Sequence, residues 1–198
     1  MLRLLAFSGS LRRGSFNTAL LHAAIDVAPD TCTIELASIR DVPLYDGDYE
    51  VEHGIPEPVR KLKDRFAGAD GVLISTPEYN GSVPGVLKNT IDWMSRPSAD
   101  IARVYKQQPL GLIGATTTMG GTRLSQQALL QPFRNLDVHL WSGTLLYVVQ
   151  ANQAFDAQGK LIDDKVRQLL TKYMAGFVAF VAANRRAKVN ESPRTAHS

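Results

Sequence analysis

With 198 residues, 44% of them hydrophobic and 21% charged, the chain has the length and balance of one globular domain with a full core, which excludes a disordered segment. Its apolar runs fall far short of the ~18 to 20 residues that span a bilayer, and the opening run, interrupted by Arg3, is too brief for a signal peptide, so a cytoplasmic protein with no membrane partner is expected. A net charge of +3 without basic and aromatic interleaving speaks against nucleic acid, while one cysteine (Cys32) and four scattered histidines (His22, His53, His139, His197) offer neither a disulfide nor metal-ligand spacing.

Leu2, Leu4, Leu5, Ala6 and Phe7 predict a first strand, and Ala19, Leu20, Ala23, Ala24 and Val27 a helix that Ser15 or Asn17 caps. The turn between them is rich in small residues. A helix start leaves backbone N–H groups without partners and carries partial positive charge, a combination that suits a phosphate. Ser10, Ser15 and Thr18 add hydroxyls, Asn17 an amide and Arg12 a guanidinium, while Gly9 and Gly14 let backbone come close. Two common phosphate signatures fail here: a P-loop needs lysine where Ser15 stands, and a dinucleotide fingerprint needs glycine where Leu11 stands. A loop with hydroxyls and arginine but no lysine fits a terminal monoester that is bound and not transferred.

Residues 33–37 read as a second strand, with Cys32 packing at its start, and residues 38–58, with Pro43, Gly47, Gly54, Pro56 and Pro58, as a long loop. Val59, Leu62, Lys63 and Phe66 give a helical stripe closed by Gly68. Residues 70–76 are a continuous apolar run, as a strand buried on both faces would be. Val83, Val86, Leu87, Thr90, Ile91 and Met94 recur at helical spacing, with Pro84 tolerated in the first turn. A polar connection over 95–108 leads to a buried strand at 110–116 and a helix over about 122–134. Residues 138–149 predict the last strand, with Gly143 a candidate break. Ile162, Val166, Leu169, Leu170, Tyr173, Phe177, Phe180 and Val181 mark a long amphipathic helix.

Strand and helix alternate five times with short turns at the strand ends. That pattern predicts a single α/β domain over 1–186, a doubly wound five-stranded parallel sheet in the order 2-1-3-4-5 with helices on both faces, followed by a polar tail at 187–198. In such sheets ligands bind beyond the carboxyl ends of the strands, at the switch in strand order. Strands one, three and four then bring three loops to one crevice: the phosphate loop, Thr76-Pro-Glu-Tyr-Asn-Gly-Ser-Val-Pro84, and Ala115-Thr-Thr-Thr-Met-Gly-Gly121. None supplies a nucleophile, a paired carboxylate or a catalytic histidine. They offer a flat face from Tyr79, backbone N–H groups freed by Asn80 and Gly81, and small hydroxyls. Flavin mononucleotide matches such a crevice, since it brings its own chemistry and needs only to be positioned. Taken singly, Asn80-Gly81 is an ordinary turn pair, Glu78 a solvated carboxylate and Trp93 with Met94 core or interface.

The chain resembles the NADPH-dependent FMN reductases, a flavodoxin-like family that includes quinone, chromate and azo-dye reductases. The match rests on Gly9-Ser-Leu-Arg12-Arg-Gly-Ser15-Phe-Asn17 and on Pro77-Glu-Tyr-Asn80-Gly-Ser82-Val-Pro-Gly-Val-Leu-Lys-Asn-Thr-Ile-Asp-Trp93. The resemblance implies that Ser10, Arg12, Ser15, Asn17 and Thr18 hold the FMN phosphate. It further implies that Pro77, Glu78, Tyr79, Asn80, Gly81 and Ser82 border the isoalloxazine ring, joined by Thr116 and Thr117. It implies no catalytic side chain, since the flavin N5 carries the hydride, and no metal. The activity implied passes hydride from NADPH or NADH through FMN to a small-molecule electron acceptor: a quinone, free flavin, an azo compound or a metal oxyanion such as chromate. Family members form homodimers or homotetramers with the flavin near a subunit boundary, which makes the helix around Trp93 and the segment near Arg123 interface candidates. The alternative is a flavodoxin-like electron carrier with no NAD(P)H oxidation of its own, but such carriers are strongly acidic and this chain is basic. A non-flavin phosphate-binding domain is the second alternative.

Overall fold

The computed structural model describes residues 1–185, so the tail expected at 187–198 lies outside the described residues. The first half of the chain runs β1 (Leu2–Ser8), α1 (Phe16–Asp26), β2 (Cys32–Ala37), α2 (Gly47–His53), α3 (Glu57–Gly68), β3 (Gly71–Ser75) and α4 (Gly85–Met94). After a 3₁₀ turn (Ser98–Asp100) come α5 (Ile101–Val104), β4 (Pro109–Ala115), α6 (Arg123–Asn135), β5 (His139–Leu140), β6 (Leu146–Val148), α7 (Ala151–Ala154) and α8 (Asp164–Ala183).

The pairings among β1 to β6 are parallel and the strands lie in the order β2-β1-β3-β4-β5, with β6 also on β4. This is the flavodoxin-like doubly wound order expected, and its fifth position is filled by two short strands: His139 and Leu140 pair with Pro109 and Leu110, and Leu146 to Val148 with Ile113 to Ala115. The strand expected over 138–149 is thus divided, the break falling around Gly143 just after Trp141, whose backbone N–H still donates to the Leu110 carbonyl at 2.9 Å. The Trp141 indole lies edge-on to Tyr173, 4.5 Å between centroids, and covers Gly176 of α8.

Side-chain alternation in the strands sorts the core into two layers. Leu2, Leu4, Ala6, Leu73, Ile113 and Ala115 pack with α1 and α8, while Leu5, Phe7, Val72, Ile74, Leu110 and Leu112 pack with residues of α3, α4 and α6. Burial on both faces is why β3 and β4 read as unbroken apolar runs.

Two connections are more structured than expected. The loop over 38–58 contains α2, which buries none of its residues and therefore leaves no hydrophobic period to read. It is held from outside by other means. Asp46 caps it by accepting from the Asp48 and Tyr49 N–H groups, and the Tyr45 and Tyr49 rings meet Trp93 edge-on at 4.9 and 6.4 Å. Glu50 accepts from Arg96 Nε at 2.8 and 3.1 Å. The connection over 95–108 turns inward at Val104, Tyr105 and Gln108, all buried, and the buried Lys63 ammonium fastens it through Asp100 Oδ2 at 2.6 Å.

The Arg96 hydrogen bond, more than any other contact, holds the Glu50 carboxyl below the ordinary glutamate range. A depressed carboxyl stabilises the fold above its unfolded value and loses that contribution as pH falls through its folded value. The attachment of α2 is therefore expected to be complete at neutral pH and to loosen on acidification below the ordinary glutamate range, read from emission of the Trp93 it covers. Arg96→Gln should move that change to higher pH; an unmoved midpoint would assign it to other carboxylates.

Candidate functional site

The ends of β1, β3 and β4 bring the three sequence loops together at one edge of the sheet. In the first loop, Ser15 is the N-cap of α1: its Oγ accepts from the Asn17 and Thr18 N–H groups at 3.2 and 3.3 Å. Its hydroxyl proton remains available to a ligand. Ser8 Oγ accepts from the Ser10 N–H and Ser10 Oγ from the Arg12 N–H, so the loop is folded by its own hydroxyls. Arg12 and Arg13 are exposed beside the helix start.

Gly9 lies against α4, where a Cβ would stand 2.9 Å from Leu87 Cδ2. Gly14 faces open space, so no protein contact requires glycine there. One anchor of this loop has no signal in the sequence: the Arg40 guanidinium, beyond the end of β2, donates to the Leu11 carbonyl.

Asn17 goes elsewhere. Its side chain is 3% exposed and hydrogen-bonded through both Oδ1 and Nδ2 inside the molecule. Nδ2 donates to the Ala115 carbonyl at 2.9 Å, and Oδ1 accepts from the Ala115 N–H and from Ser75 Oγ, each at 2.9 Å.

The second loop closes on a two-residue turn. Tyr79 and Ser82 exchange backbone hydrogen bonds at 3.1 and 3.0 Å around Asn80 and Gly81, whose φ values of 51° and 71° are the left-handed pair that an Asn-Gly turn accepts without strain. Tyr79, Asn80, Gly81 and Ser82 are exposed and Pro77 is buried. Glu78 is not simply solvated. Its Oε2 accepts from the Leu124 and Ser125 N–H groups at 2.8 and 3.2 Å and so caps α6 from another loop, where Thr122 makes no cap of its own.

Thr76 Oγ1 meets Ser125 Oγ at 2.9 Å, a second tie between these loops. In the third loop Thr116 is half-buried, with its N–H donating to the Val148 carbonyl, and Thr117 is exposed. Arg123 lies over the Tyr147 ring, 5.4 Å from its centroid. Trp93 is fully buried and its Nε1 donates to the Pro43 carbonyl at 2.9 Å, so the indole is core beneath α2.

The donor set fits FMN: hydroxyls and a guanidinium at a helix start for the phosphate, and a flat exposed ring with turn backbone for the isoalloxazine. Among the described residues no group of three or more His, Cys, Asp or Glu could hold a metal ion, and no helix is long and apolar enough to cross a membrane.

Comparison with known proteins agrees with this geometry. The family model for NADPH-dependent FMN reductase matches residues 2–153. An NAD(P)H-dependent FMN reductase of Pseudomonas aeruginosa is 40% identical, covering 91% of this chain and 95% of its own. A 2-hydroxy-1,4-benzoquinone reductase of a Burkholderia species is 37% identical over 93% and 98%. Among solved structures, the flavoenzyme NAD(P)H:(acceptor) oxidoreductase FerB of Paracoccus denitrificans superposes with a TM-score of 0.83 at 31% identity, covering 94% of this chain and 100% of its own. On the strand order, the two loop motifs and these matches, the chain belongs to the NADPH-dependent FMN reductase family.

Proposed function

We propose that the protein is an FMN-dependent NAD(P)H oxidoreductase that delivers electrons to quinones and related small acceptors. One observation supports the reading: the loops that follow β1, β3 and β4 are tied to one another by side chains, so the hydroxyls at the start of α1 and the exposed Tyr79 belong to one sheet edge. When bound, FMN supplies the two-electron chemistry between NADPH or NADH and the acceptor. The chain's own residues bind and orient. Ser10, Arg12, Ser15 and Thr18 hold the phosphate, while Pro77, Glu78, Tyr79, Asn80, Gly81, Ser82, Thr116 and Thr117 border the ring. Backbone N–H groups of the Asn80-Gly81 turn would offer donors to the negative charge that a reduced flavin ring gathers. Free flavin, azo compounds and chromate are further acceptors that an open crevice admits.

Residues 1–186 form the working domain, acting in the cytoplasm as a homodimer or homotetramer. Exposed Tyr79, Met119 and Leu124 at the crevice support that association, since apolar side chains at a mouth are better covered than hydrated.

Anaerobic titration tests the function. Purified protein with FMN should show a bound-flavin spectrum that bleaches with NADPH and returns with quinone; a bound flavin that NADPH does not bleach would point to an electron carrier. Arg12 is exposed in the unliganded chain, so Arg12→Ala should weaken FMN binding by about 1.5 to 3 kcal/mol, roughly 10- to 150-fold, if the bound ligand partly buries the guanidinium, and by less if it does not. Wild-type affinity in that variant would remove Arg12 from the phosphate site.

A further inference from the structure

Asn17 stands inside the phosphate motif, yet its amide is turned away from the loop and toward two strand ends. The residues it bonds are Ser75, the last of β3, and Ala115, the last of β4. Thr76 and Thr116, the next residues, open the second and third loops. Two residues earlier, Ser15 caps α1. One buried side chain therefore sits at the root of all three loops. Its bonds to Ala115 use both the N–H and the C=O, as a neighbouring strand would. They supply a connection that the ladder lacks, because β1 pairs with β2 and β3 and has no register with β4.

We propose that Asn17 is a positioning residue that fixes the distance between the phosphate subsite and the ring subsite, and that it does not contact the phosphate. The proposal rests on the FMN reading above. A ligand that carries phosphate and ring on one ribityl chain gains from both subsites only if their spacing matches its own, whereas the separate pieces are indifferent to that spacing. Loss of Asn17 should therefore weaken the linked ligand and spare the fragments.

The test measures FMN and riboflavin by quenching of flavin fluorescence, and inorganic phosphate by its displacement of FMN, in wild type, Asn17→Ala and Ser75→Ala. Asn17→Ala is expected to weaken FMN by about tenfold or more while riboflavin and phosphate each stay within about threefold. Ser75→Ala removes one of the three bonds and keeps the Ala115 pair, so it should shift FMN about two- to fivefold with riboflavin unchanged. Phosphate weakening in step with FMN would make Asn17 a direct phosphate ligand and overturn the proposal. Riboflavin falling with FMN would reduce it to a general fold contact. If Asn17→Ala does not fold, Ser75→Ala decides, and three unchanged affinities there overturn the proposal. Failure of the wild type to bind FMN would instead remove the function reading on which this inference rests.

Discussion

Gly114→Ala is expected to destabilise the protein by about 3 kcal/mol or more, and Gly114→Val to prevent folding. A Cβ on Gly114 would lie 2.1 Å from Thr122 Oγ1, 2.8 Å from Thr122 Cβ and 2.4 Å from the Thr76 carbonyl oxygen. No rotamer relieves this, because one of the opposing atoms is backbone and both residues are fully buried. They are also anchored: the Thr76 N–H donates to the Ile113 carbonyl, and Thr122 Oγ1 accepts from Gln126 Nε2. The strand must move away from the start of α6, and the loops that border the crevice move with it. Set against a total of about 5 to 15 kcal/mol, the loss is a large fraction of stability. Urea unfolding of the alanine variant reads it directly. A midpoint shift worth less than about 1 kcal/mol would mean that β4 and α6 are looser than their contacts imply.

The second large effect is expected from Trp93→Ala, at about 3 to 5 kcal/mol. The indole is fully buried, and the void left by its removal lies between α4 and the segment that carries α2. That segment leans on this ring, since Pro43 receives the indole N–H and the Tyr45 and Tyr49 rings rest on the indole edge, with Asn89 and the Glu50–Arg96 pair as further ties. Two outcomes should therefore appear together in thermal unfolding and limited proteolysis: a lowered midpoint and faster cleavage within 44–53. Trp93→Phe keeps most of the ring and gives up the hydrogen bond, so its loss should be nearer 1 kcal/mol. Equal losses in the two variants would assign the role to the hydrogen bond instead of the packing.

These effects explain which parts of the molecule were legible beforehand. Strands β1, β3 and β4 were read from their apolar runs and α8 from its stripe, because burial on one or two faces is a local property of sequence. The parallel order followed from alternation with helices. Helix α2 was not legible, since it buries nothing and is held by a cap and by a tryptophan more than forty residues away. The site divides in the same way. That three loops meet was legible from their positions after strands. That Asn17 faces Ala115, 98 residues on, and that Glu78 caps α6 were not, because both depend on partners that only the fold brings near. A carboxylate in a motif and an asparagine beside a cap each read as ligand-facing until the tertiary neighbours are known.

The division of the outer strand into β5 and β6 bears on how copies of this chain can meet. A long, regular strand at the rim of a sheet invites another chain to add to it, residue by residue, and such growth has no natural end. Here the rim beside β4 offers two residues, an interruption around Gly143, and three more, too short a row for a foreign strand to take hold. The opposite rim, β2, carries the Glu35 carboxylate paired with Arg65, a charge that an incoming strand would have to desolvate. Association of copies by strand addition at these rims is thereby disfavoured, which leaves helices and loop side chains as the surfaces open to it.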